Sequence, residues 1–127
     1  MVVADTTVWI EFFNDPESDE KHAIDLLIDE NELALVGPVL SELLQGCRTP
    51  AEANAILDHA SALPFLEMTF VLWQRAGELS SGLRRKRTTI PLLDLLIGAL
   101  AMEHDAEVFT TDPHFAKIPG LKLYRPK

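Results

Sequence analysis

The sequence predicts a three-layer α/β fold, a mostly parallel sheet flanked by helices, on three observations. Short apolar runs at Val2-Val3-Ala4, Leu33-Ala34-Leu35-Val36 and Glu107-Val108-Phe109 read as buried strands. Each runs within a few residues into a helix-start signal: Asp5-Thr6-Thr7, Gly37-Pro38 and Thr110-Thr111-Asp112-Pro113. Between them lie stretches whose apolar residues recur at helical spacing. Strands alternating with helices imply a parallel sheet, and 127 residues without repeat or linker imply one domain, residues 1–127.

Taken in order, Val2 to Ala4 is the first strand, and the helix after it carries Val8, Trp9, Phe12 and Phe13. A polar turn from Asn14 to Ser18 precedes a second helix from about Glu20 to Asp29. Leu33 to Val36 is the second strand. Gly37-Pro38 stops it and opens a helix, because proline is preorganised for a first helical turn. Leu40, Leu43, Leu44 and Cys47 line that helix. Pro50 opens another helix to about Ala62, and Leu63 to Met68 reads as a strand. Phe70 to about Lys86 is a long helix with Leu72, Trp73, Ala76, Leu79 and Leu83 on one face. Pro91 begins a helix that is apolar almost all round. Glu107 to Phe109 and Leu121 to Tyr124 are the last expected strands, with a helix start at Asp112-Pro113 between them.

Composition removes several function classes. Hydrophobic residues make up 47% and charged residues 24%, the balance of a folded globule. The most apolar segment, Ile90 to Met102, is interrupted by Asp94 and falls far short of the roughly 20 residues of a membrane span. No basic region precedes the first apolar run, so a secretory leader is not expected. One cysteine, Cys47, suits a reducing cytoplasm. The net charge of −9 argues against gripping nucleic acid by general electrostatics. It leaves room for a nuclease with acids gathered at a metal, since bound divalent ions reverse the local sign.

Four of the 20 acids fall where they can meet. Asp5 and Asp112 stand where a strand passes into a helix. Glu42 and Asp94 stand a turn into helices opened by Pro38 and Pro91. In a parallel sheet those positions crowd onto the edge formed by the carboxyl ends of the strands, where ligands bind. Each acid also has a plain structural role open to it: Asp5 and Asp112 as helix caps, Glu42 as a solvated margin residue. Asp94 has less choice, because Leu92-Leu93-Asp94-Leu95-Leu96-Ile97 leaves it no polar face. A buried carboxylate without partners costs several kcal/mol, and the helix dipole returns only about 0.3–1 kcal/mol. A cation explains it better.

Hard oxygen donors suit Mg²⁺, with Mn²⁺ as a substitute. Zinc is not expected, because His22, His59, His104 and His114 are scattered and read as ordinary surface or core residues. The implied chemistry is metal-assisted phosphodiester hydrolysis, leaving 5′-phosphate and 3′-hydroxyl ends. Asp5 and Asp94 are the principal metal-site acids, with Glu42 and Asp112 binding through water or completing a second site. A phosphoacceptor receiver domain is the rival acidic Mg²⁺ pocket, but it needs adjacent acids after the first strand, where only Asp5 stands. An aspartyl-nucleophile phosphatase needs a second aspartate two residues on, and Thr7 occupies that place.

These residues resemble the PIN-domain ribonucleases, specifically the VapC toxins of bacterial toxin–antitoxin pairs. Val3-Ala4-Asp5-Thr6-Thr7-Val8-Trp9-Ile10 looks like the opening strand with its first acid and hydroxyl. Ser41-Glu42-Leu43-Leu44-Gln45-Gly46 resembles the second-acid helix. Pro91-Leu92-Leu93-Asp94-Leu95-Leu96-Ile97-Gly98-Ala99 is similar to the third-acid helix, with Gly98 where alanine is usual. Thr110-Thr111-Asp112-Pro113-His114-Phe115 matches the last motif, with His114 near where some members carry another acid. The resemblance covers nearly the whole chain and implies a PIN-like fold and a cytoplasmic, Mg²⁺- or Mn²⁺-dependent endoribonuclease that forms a homodimer and is neutralised by a cognate antitoxin. It also points to Thr6 and Thr110 as site hydroxyls. A catalytically silent PIN interaction module is the alternative within the same fold.

Arg84-Arg85-Lys86-Arg87 is the one dense basic run. It serves either as a helix terminus favoured by its dipole or as a phosphate rail steering RNA to the metal edge. Trp9 and Trp73 read as core or interface residues rather than base-stacking platforms.

Overall fold

A computed structural model describes all 127 residues. Strand β1 (Val2–Ala4) lies at the centre of a four-stranded sheet with β2 (Leu33–Val36), β3 (Phe65–Leu66) and β4 (Glu107–Phe109), in the order β3-β2-β1-β4. Every pairing is parallel: Val2 faces Leu33 and Glu107, Ala4 faces Phe109, and Leu35 faces Phe65. All residues of β1 and β2 are buried, as strands covered by helices on both faces must be.

The helices are α1 (Thr6–Asn14), α2 (Asp19–Asp29), α3 (Gly37–Gln45), α4 (Pro50–Ala60), α5 (Phe70–Arg85) and α6 (Leu92–Glu103), with a 3₁₀ turn at Pro113–Lys117. Short hydroxyls start several of them: Ser18, Thr49 and Thr69 accept from the amides of Lys21, Glu52 and Leu72. Leu95 to Ala101 are all buried, which accounts for the nearly all-round apolarity of α6. Gly98 sits where α6 passes the 3₁₀ segment, and an added Cβ would stand 3.0 Å from Ile118 Cδ1.

Three expectations change. The Leu63–Met68 strand shrinks to Phe65–Leu66 at the sheet edge, and the Leu121–Tyr124 strand to a single parallel bridge, Val108 to Leu123. Trp73 is 54% exposed, because Leu72, Ala76 and Leu83 turn the buried face of α5 away from it. Trp9 is in the core, against Phe12 and Phe13. No helix is long and apolar enough to cross a membrane.

Candidate metal centre

Parallel register makes the first contact of the site. Because Ala4 pairs with Phe109, the residues after them, Asp5 and Thr110, leave the sheet side by side. The Asp5 amide donates to the Phe109 carbonyl at 3.0 Å. Thr110 Oγ1 donates to Asp5 Oδ2 and accepts the Asp112 amide at 2.9 Å, tying the two acids together through one hydroxyl. Asp5 Oδ1 caps α1 by accepting the Val8 amide and also takes the Thr7 hydroxyl at 2.6 Å. Thr7 Oγ1 accepts the Thr111 amide at 3.1 Å, so the loop after β4 is anchored to the start of α1.

The other two acids arrive on helices. Glu42, midway along α3, accepts from Thr6 Oγ1 at 2.8 Å. Asp94 lies in the first turn of α6. Its charge is felt alongside those of Asp112, Asp5 and Glu42. Asp112 caps the 3₁₀ turn, its Oδ1 accepting the His114 amide at 2.9 Å. Capping and convergence are thus compatible: Asp5 and Asp112 cap their elements and are tied to each other through Thr110. The structure brings Asp5, Thr6, Glu42, Asp94, Thr110 and Asp112 to this one edge.

The electrostatics of the site are those of crowded anions. Asp5 is the one buried charged residue, 3% exposed. Burial pushes its carboxyl up from the ordinary value, against the hydrogen bonds from Thr110, Thr7 and Val8. Asp94 is pushed up to about 6, first by burial and then by Asp112, with Asp5 and Glu42 adding and His114 opposing. Asp94 Oδ2 is shielded from solvent and has no hydrogen-bond partner. An orphaned carboxylate oxygen among three further acids fits a divalent cation, which would supply the missing partner and offset the repulsion.

Two residues were given no site role from sequence. Thr7 is a second clamp on Asp5; its hydroxyl next to Thr6 was the available signal. His114 is not the ordinary surface or core histidine expected. Its Nδ1 lies 2.8 Å from Asp112 Oδ1 and 3.8 Å from Asp94 Oδ2. Neither approach meets hydrogen-bond geometry. The ligand atoms of Asp94, Asp112 and His114 all lie within 4.8 Å of one another. Asp112-Pro113-His114 carried the signal, since a residue two beyond an aspartate cap folds back over it.

Arg84 and Arg85 end α5, Lys86 follows as its cap, and Arg87 takes a left-handed turn at φ 61°. All four are exposed. Arg84 and Arg85 share a shallow depression with Leu92, which places these two side chains beside the first turn of α6.

The chain is similar to known proteins along nearly its whole length. VapC ribonuclease Mb1587 of Mycobacterium bovis and ribonuclease VapC11 of Mycobacterium tuberculosis are each 27% identical over 129 residues, 96% of both chains. Among solved structures, VapBC2 from Rickettsia felis, bound to a promoter DNA fragment, superposes with a TM-score of 0.82 at 26% identity over 98% of each chain. DNA-bound VapBC from Salmonella typhimurium gives 0.78 at 22% identity, over 97% of this chain and 96% of that one, a likeness of fold. Mycobacterium tuberculosis VapC20, described as a sarcin–ricin-loop-cleaving toxin, gives 0.71 at 17% identity, over 99% and 100%. The PIN domain pattern runs along this chain from residue 2 to residue 121, taking in all four acids, and the chain belongs to the PIN domain family.

Proposed function

We propose that this single domain, residues 1–127, is a VapC-like endoribonuclease toxin that hydrolyses RNA phosphodiester bonds with Mg²⁺, or Mn²⁺ in its place, at Asp5, Glu42, Asp94 and Asp112. The observation that carries the reading is Asp94 Oδ2, buried and unpartnered where acids of four separate segments converge. Asp5, Glu42, Asp94 and Asp112 would hold a divalent ion there, which would supply an activated water and polarisation of the phosphoryl group. The chain's own contribution is positional. Thr110 and Thr7 fix both oxygens of Asp5, Thr6 fixes Glu42, and the Thr110 hydroxyl holds the Asp112 backbone. Such preorganisation keeps the acids aimed at the reacting edge while the substrate arrives. Arg84 to Arg87, all exposed, with Arg84 and Arg85 beside the α6 first turn, are the contacts for RNA phosphates.

The partners in this reading are an RNA substrate, a second copy of the chain and a cognate antitoxin, all in the cytoplasm. The VapBC assemblies of similar fold support the antitoxin. So does a largely apolar groove of about 550 Å³ lined by Ile10, Phe13, Leu43, Cys47 and Ile56, whose wall includes Glu42. Incubating the purified chain with structured RNA, with and without Mg²⁺ or Mn²⁺, tests the enzyme. Metal-dependent cuts leaving 5′-phosphate and 3′-hydroxyl ends are expected, and they disappear in Asp94→Asn. Cuts that persist in a chelator, or that leave cyclic phosphates, contradict the reading. No cutting of any RNA with metal bound favours the silent interaction module.

A further inference from the structure

We infer that His114 is itself a ligand of the divalent ion, through Nδ1, and that the resulting nitrogen–oxygen donor set makes the site prefer Mn²⁺ to Mg²⁺. The inference rests on the metal-site reading above and adds a donor to it. Two donors on one ion can be no further apart than twice a bond of about 2.1 Å, roughly 4.2 Å. Nδ1 lies 2.8 Å from Asp112 Oδ1 and 3.8 Å from Asp94 Oδ2, inside that limit. Both Nδ1 and Asp94 Oδ2 are shielded from solvent without a hydrogen-bond partner. If Nδ1 is unprotonated, its lone pair faces two carboxylates and is repelled. If protonated, its N–H points along no acceptor. A cation held between the three groups removes both difficulties, since it gives each orphaned atom a partner.

The ring is also well placed to serve. Its backbone amide is bound to Asp112 Oδ1, and Phe115 beside it is 1% exposed, so the turn that presents the imidazole is fixed. The other histidines belong elsewhere: His59 packs against Phe12 and Phe13, for example. Adding an imidazole to a set of carboxylates shifts a site's preference toward ions that accept nitrogen donors and away from Mg²⁺, which prefers oxygen.

Pulsed electron paramagnetic resonance on the Mn²⁺-loaded protein tests this directly. Nitrogen modulation characteristic of coordinated imidazole is expected, and it should change isotope in protein labelled with ¹⁵N-histidine. In His114→Gln the modulation should vanish. Mn²⁺ affinity should fall by at least the ~10-fold that losing even an outer ligand partner costs, while Mg²⁺ affinity changes less. Mn²⁺ that binds stoichiometrically without histidine coupling overturns the inference and leaves the acid site standing. Coupling that survives in His114→Gln overturns it too. No Mn²⁺ binding at all overturns both readings. Should the variant fail to fold, the labelled wild type decides alone.

Discussion

Asp94 concentrates the tension of the molecule in one side chain. Its carboxyl is pushed up to about 6 from an ordinary 3.8, so between those values the folded chain holds a proton that the unfolded chain has released. Stability without metal therefore falls as pH rises from about 4 to about 6, by at most on the order of 3 kcal/mol from this group. Urea unfolding of wild type and Asp94→Asn in chelator, across that range, isolates the contribution as the difference between the two curves. The asparagine form should be as stable as wild type, or more so, near neutral pH; a loss of several kcal/mol would assign Asp94 a structural role. Thr110 is the complementary case. Thr110→Val strips the partner from buried Asp5 Oδ2 and from the Asp112 amide, and should cost about 1–3 kcal/mol in the same assay.

Elements were legible where local chemistry and burial agreed. Pro38 and Pro50 mark starts that α3 and α4 keep, and the apolar runs of β1 and β2 are buried throughout because helices cover both faces. Edge elements were read less well. Leu63–Met68 and Leu121–Tyr124 carry strand-like residues, but at the margins of the sheet they pair over two residues and one. Apolarity alone does not show where pairing stops. Trp73 misled for a related reason: one position off the Leu72 row is a rotation of about 100°. Gly98 offers a test at this scale. Alanine there gains about 1 kcal/mol of helix propensity; its Cβ is crowded by Cδ1 of Ile118, a chain end that can turn aside, and meets Ile118 Cγ2 and Leu121 Cδ2 at ordinary contact distance. Gly98→Ala should raise the denaturation midpoint slightly; a drop would mean that the α6–Ile118 contact is too rigid to yield.

At the scale of the whole molecule, an excess of acid coexists with one basic stretch. Neutralising Arg84, Arg85, Lys86 and Arg87 together should lower kcat/KM on RNA and flatten its salt dependence, with metal affinity unchanged. Unaltered kinetics would leave the run as a dipole-favoured helix end. The four acids could be picked out from sequence because Asp5, Asp94 and Asp112 sit at strand or helix termini, and Glu42 on a helix opened by Pro38, that topology assigns to one edge. Thr7 and His114 were missed, since the signals they carry gain meaning only from how turns fold back in three dimensions: Thr7 onto the Thr111 amide, His114 over Asp112. All of this turns on whether the converging acids hold a hard divalent ion. Thermal melting at neutral pH against increasing Mg²⁺ or Mn²⁺ asks that question most directly. Binding should raise the melting temperature progressively, by the equivalent of about 2.7 kcal/mol at a hundred times Kd, and Asp94→Asn should blunt the rise. A melting temperature that stays constant to high metal concentration would contradict it.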